Sequence, residues 1–134
     1  MTIQLSEAVR NARLNAIESA VGTAPILRIY DLTGDPPANC AAAIVGDVLA
    51  EITCPSDWMD AASAGAKELL GSWADASANA SGTADFFRLY ASDGTTCHLQ
   101  GVVGAGQDMT LDDYSIEAGQ SITITGFTLT DGNA

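Results

Sequence analysis

Ser121-Ile122-Thr123-Ile124-Thr125-Gly126-Phe127-Thr128-Leu129-Thr130 alternates polar and apolar residues over a full strand length. That period puts one face of a β-strand against a core and leaves the other, here covered by threonine, toward solvent. Upstream, Ile26-Leu27-Arg28-Ile29-Tyr30, Val48-Leu49-Ala50-Glu51-Ile52-Thr53, Phe86-Phe87-Arg88-Leu89-Tyr90 and Thr96-Cys97-His98-Leu99-Gln100 are short and rich in strand formers, with Met109-Thr110-Leu111 a weaker candidate. Turn chemistry separates them at Thr33-Gly34-Asp35-Pro36-Pro37, Asp93-Gly94 and Glu117-Ala118-Gly119-Gln120. Asp-Gly between two strands predicts a hairpin over residues 85–103. In the Ala/Ser/Gly-rich stretch from Ser56 to Ser81, Asp57-Trp58-Met59-Asp60-Ala61-Ala62 predicts a short helix, followed by a small-residue loop. Arg28-Ile29-Tyr30 is echoed by Arg88-Leu89-Tyr90, which marks either equivalent places in two sheets or simply two strands with an outward arginine.

The N-terminus has a different period. Ser6 can cap a helix whose Leu14, Ile17 and Val21, beside Val9, Ala12, Ala16 and Ala20, recur at helical spacing until Gly22 stops it. Pro25 then forbids continuation and restricts its neighbour to extended backbone. The reading is therefore a helical arm at 1–22 and a β-sandwich domain at 23–134. The fold class is mainly β: a two-sheet antiparallel sandwich, jelly-roll or immunoglobulin-like, with an N-terminal amphipathic helix.

The chain has 134 residues, enough for one domain with a sizeable core. It is 47% hydrophobic and 16% charged, which argues against disorder. Seventeen acidic and five basic residues leave a net charge of −12, which disfavours nucleic acid and anionic membranes as partners. Glu7, Arg10, Arg13 and Glu18 cancel, so the excess negative charge lies beyond Val21. No leader or long apolar run is evident, which leads us to expect synthesis in the cytosol. Cys40, Cys54 and Cys97 lack metal-site spacing. Free buried thiols are expected, with a Cys40–Cys54 bridge left open for a protein that ends outside the cell.

Catalytic constellations are thin. His98 is the single histidine, and its neighbour Cys97 falls on the opposite face of a strand, which breaks a Cys-His pair. Asp108, Asp112, Asp113 and Glu117 supply hard oxygens but not the spacing of a calcium loop. Gly101-Val102-Val103-Gly104-Ala105-Gly106 lacks the spacing of a dinucleotide loop. The expectation is a non-enzyme without cofactor or metal. Trp58, Trp73 and Tyr114, together with Tyr30 and Tyr90, would form a stacking platform if the chain were a carbohydrate- or receptor-binding module, the alternative function.

Ala16-Ile17-Glu18-Ser19-Ala20-Val21-Gly22, Leu27-Arg28-Ile29-Tyr30, Leu49-Ala50-Glu51-Ile52-Thr53, Phe87-Arg88-Leu89-Tyr90 and Ser115-Ile116-Glu117-Ala118-Gly119-Gln120 follow one another before the threonine-rich last strand. In this order the chain resembles a group of short virion-associated proteins of tailed phages, over nearly its whole length. These motifs are structural, and the resemblance carries over no active-site residue. It implies a protein made in the host cytoplasm and added to the virion in many copies, as capsid decoration first and as a neck or tail component next. The partners implied are further copies in a symmetric oligomer and the major capsid or other virion proteins. The apolar helix positions Val9, Leu14, Ile17 and Val21 are the expected interface, the alternative being that this stripe packs on its own sandwich.

Overall fold

The computed structural model describes residues 2–134. Helix α1 spans Glu7–Val21, with the Ser6 hydroxyl accepting from the Val9 amide and Gly22, at φ 90°, closing the last turn through its N–H to the Glu18 carbonyl. Ten strands follow: β1 Ile26–Leu32, β2 Gly46–Thr53, β3 Ala66–Glu68, β4 Ala74–Asp75, β5 Gly82–Thr83, β6 Phe86–Tyr90, β7 Cys97–Val102, β8 Met109–Leu111, β9 Ser115–Ile116 and β10 Ile122–Thr130. The first sheet has the order β2-β1-β6-β7, antiparallel throughout. In the second, the long β10 is the spine: β4 pairs with its start, β8 with its middle and β3 with its end. Strands β5 and β9 form a small ribbon.

The two sheets close on one core. Leu27, Ile29, Leu49, Ile52, Phe87 and Leu89 of the first meet Met109, Leu111, Ile122, Ile124 and Phe127 of the second, all buried. The Phe87 and Phe127 rings meet edge to face across the interface, 5.7 Å apart. The architecture is the expected sandwich with an N-terminal helix. Strand β10 contains a detail that its alternation hides. Its inward residues are Ile122 and Ile124, then Phe127, because the register slips between Ile124 and Gly126. Without that bulge, glycine would face the core and Phe127 the solvent.

The 85–103 hairpin is present as β6–β7. At its turn Asp93 accepts from the amides of Thr95 and Thr96, both at 2.9 Å, and from the Thr96 hydroxyl at 2.6 Å. These bonds, the Thr96 hydroxyl's first, hold the Asp93 carboxyl well below the usual carboxylate range. The stabilisation is complete above the unfolded value of about 3.9 and is lost only as pH falls through the depressed folded one. In an acid titration followed by NMR, the Thr95 and Thr96 amides are expected to stay unshifted through about pH 3.9; a midpoint there would contradict the turn.

Two expectations are corrected. The Arg-aliphatic-Tyr echoes do not sit in separate sheets. Strands β1 and β6 are antiparallel neighbours, with Arg28 opposite Arg88. Residues 57–62 form no helix. Trp58 and Met59 are drawn into the core, Met59 bridges to Leu69, and the stretch beyond supplies β3 and β4 as partners for β10. Burying two tryptophans from a segment of small residues outweighs the weak helical preference of Asp57–Ala62.

Candidate functional site

The outer face of the first sheet is polar and aromatic because alternate residues of β1 and β6 point away from the core. Arg28 Nε donates to Glu51 at 2.8 Å, and its guanidinium lies 4.7 Å over the Tyr90 ring. The Glu51 hydrogen bond leads in raising the Arg28 pKa. The Tyr30 and Tyr90 hydroxyls share a hydrogen bond of 2.9 Å, and burial first, then that bond, pushes the Tyr30 phenol above its ordinary range. Tyr30 and Tyr90 are both buried and pack as a pair on this face.

Residues 33–45 form a compact loop, closed at its base by the Thr33 amide on the Val45 carbonyl, that lies over this face. Arg88, only 5% exposed, donates from Nη2 to the carbonyls of Asn39 and Ala42, and from Nε to Gln100 Oε1. Gln100 in turn donates to the Pro37 carbonyl. The loop is then bonded covalently: Cys40 and Cys97 form a disulfide, while Cys54 is free and buried. The expectation of free buried thiols therefore holds for Cys54 alone, and the pairing left open for Cys40 is with Cys97, not Cys54. Strand β2 turns Cys54 into the core, whereas Cys97 sits at the start of β7 beside the loop.

The second surface is α1. The sequence predicts an arm set apart from the body; α1 instead lies along the turn that leads into β3, closed by mutual backbone hydrogen bonds of Ser63 and Ala66, and is stitched to it by a polar row. Glu7 accepts from the Ala64 amide, Asn11 from the Gly65 amide, and Asn15 from the Ala62 amide. Ala64 and Gly65 both have positive φ, 52° and 73°. This primed turn aims their N–H groups at the helix. Glu18 and Asn15 hold the buried Lys67 ammonium, each at 2.7 Å. Arg13 pairs with Asp131 at 3.1 Å.

That seam sets where the expected interface residues go. Leu14 and Val21 are buried, 2% and 5% exposed, and Ile17 packs against the core, so these three face their own body. Val9, at 46%, faces outward with Ala8, Ala12, Ala16 and Ala20. Residues 7, 11, 15 and 18, spaced four, four and three apart, were a legible polar stripe; its role as the side that meets residues 62–67 was not.

The other singled-out residues are dispersed. Trp58 and Trp73 are fully buried, with their indole N–H groups satisfied by the carbonyls of Gly22 and Leu70. Neither can stack on a sugar, which corrects the platform expected of them; Tyr114 is half-buried. His98 is exposed at the bulge in β7, and its neighbour Cys97 is held in the disulfide. Asp108, Asp112 and Asp113 cap backbone amides of Val102, Thr123 and Ser115. Among the described residues no group of three or more His, Cys, Asp or Glu side chains is placed to hold a metal. Among the described residues no helix is long and apolar enough to cross a membrane. Comparison of the chain with family models, with curated proteins and with solved structures finds no match.

Proposed function

We propose that this chain is a structural protein of a tailed-phage virion that assembles in multiple copies, with capsid decoration the first placement and neck or tail the second. The observation that carries the assembly reading is the outward face of α1. Ala8, Val9, Ala12, Ala16 and Ala20 form an apolar strip interrupted only by Arg13 and Ser19, all exposed, while the helix spends its polar side chains on its own body. Alanines at four-residue spacing let a second helix approach closely. The helix is also the one region where charges cancel, so two copies of a molecule of net charge −12 approach there with the least repulsion. A two-fold helix pair is the simplest closed arrangement. The Cys40–Cys97 bond supports a final location in an oxidising medium, as for a particle released from its host. The virion placement itself rests on the motif resemblance.

Light scattering tests the assembly. The wild type is expected as a defined oligomer, and the Ala12→Glu/Ala16→Glu pair, which keeps helix propensity, as a monomer, its association weakened by about a hundredfold or more through like charges facing each other. A wild-type monomer would sink self-assembly through this face. Recovery of the chain in fixed stoichiometry from purified particles tests the virion role, and recovery from the lysate alone would overturn it.

A further inference from the structure

Lys67 is the only lysine of the chain and is 1% exposed. It points inward from β3, and three groups surround its Nζ: Glu18 Oε2 at 2.7 Å, Asn15 Oδ1 at 2.7 Å and the Asp60 carbonyl at 2.7 Å. An amine, a carboxamide and a carboxylate thus meet at one point between two elements. One C=O bond length beyond Oδ1, the Asn15 Cγ lies no more than about 3.9 Å from Nζ, close to the separation of a near-attack arrangement. The carboxamide is also polarised for addition, because the Ala62 amide donates to the same Oδ1 at 3.1 Å, where negative charge would develop.

We propose that Lys67 and Asn15 form an intramolecular isopeptide bond, with Glu18 as the proton carrier, tying α1 covalently to β3. The Lys67 ammonium gives one proton to the Glu18 carboxylate, and the freed Nζ lone pair attacks Cγ of Asn15. The tetrahedral adduct is held by the Ala62 N–H. Glu18 takes the second Nζ proton as it hands the first to the departing amide nitrogen, the Cγ–Nδ2 bond breaks, and ammonia leaves. With the proton that Glu18 finally returns, the products are a secondary amide and ammonium. No oxidant or external reagent is consumed. Asn15 is exposed, so ammonia has a path to solvent, whereas the amine is buried, which keeps it in place for a slow reaction. The proposal is independent of any role in a virion.

Intact mass spectrometry of the purified, unfolded and reduced chain decides it. The wild type is expected one ammonia lighter than its sequence, and Glu18→Gln and Asn15→Ala at full mass. Trypsin is expected to leave Lys67 uncut and to release fragment 29–88 joined to fragment 14–28, a product that succinimide formation at Asn15 cannot give. A wild-type chain at full mass that trypsin cuts after Lys67 overturns the proposal and leaves an ion pair only. Because this readout needs only the wild type, it does not depend on either variant folding.

Discussion

Reduction of the Cys40–Cys97 bond, or Cys40→Ser, is expected to lower the unfolding free energy by about 4 kcal/mol, the chain-entropy value for closing a loop of this length. The two cysteines are 57 positions apart, and the segment between them contains β2 to β6, so the bond restricts nearly half the unfolded chain. In the folded state the loss is local. Arg88 still donates to the Asn39 and Ala42 carbonyls, so loop 33–45 is loosened but not released. Paired denaturant titrations with and without reductant measure the difference. The third cysteine is the internal control: burial pushes the Cys54 thiol up to about 12. Its protonated form is favoured by folding, so its contribution is complete below the unfolded value of about 8.5 and is lost only as pH rises toward the folded one. A thiol reagent is expected to label nothing in the oxidised native protein, Cys40 and Cys97 after reduction, and Cys54 only on unfolding. Labelling of Cys54 in the native state would contradict its place in the core.

Trp73→Ala is expected to destabilise by about 3–5 kcal/mol, the range for emptying a fully buried aromatic site. Trp73 is 0% exposed and stands between Trp58, 5.8 Å away, and Phe127, 5.5 Å away, while Phe127 continues the chain of rings to Phe87 of the opposite sheet. The cavity cannot collapse cheaply, because the rings on its two sides come from separate elements, Trp58 from the segment before β3 and Phe127 from β10. Urea unfolding monitored by circular dichroism gives the value. A loss below about 1 kcal/mol would mean that the ring series is not a structural axis of the core. The same result bears on the sugar-binding alternative: a tryptophan that served as an exposed platform would be removed at little cost to stability.

Which parts of this were legible beforehand follows from the range of the interactions concerned. The helix from Ser6 to Gly22, the hairpin around Asp93-Gly94 and the strand at 122–130 are each specified by neighbours within a few residues, through a cap, a turn or an alternation. The short β3 and β4 were not legible. Two or three residues of alanine, lysine or aspartate carry no strand signal until β10 offers them a partner. Tertiary contact alone chose Cys97 over Cys54 for Cys40, because the bulged β7 brings a residue distant in sequence beside loop 33–45. It also chose which face of α1 looks outward. Helical spacing marks Leu14, Ile17 and Val21 as apolar but cannot say whose core they enter. The decision lies with the backbone amides of residues 62, 64 and 65, which take the acceptors of Glu7, Asn11 and Asn15 and so turn that side of the helix toward the 62–65 segment. Local periodicity thus settled the elements, and hydrogen bonds to partners distant in sequence settled their faces.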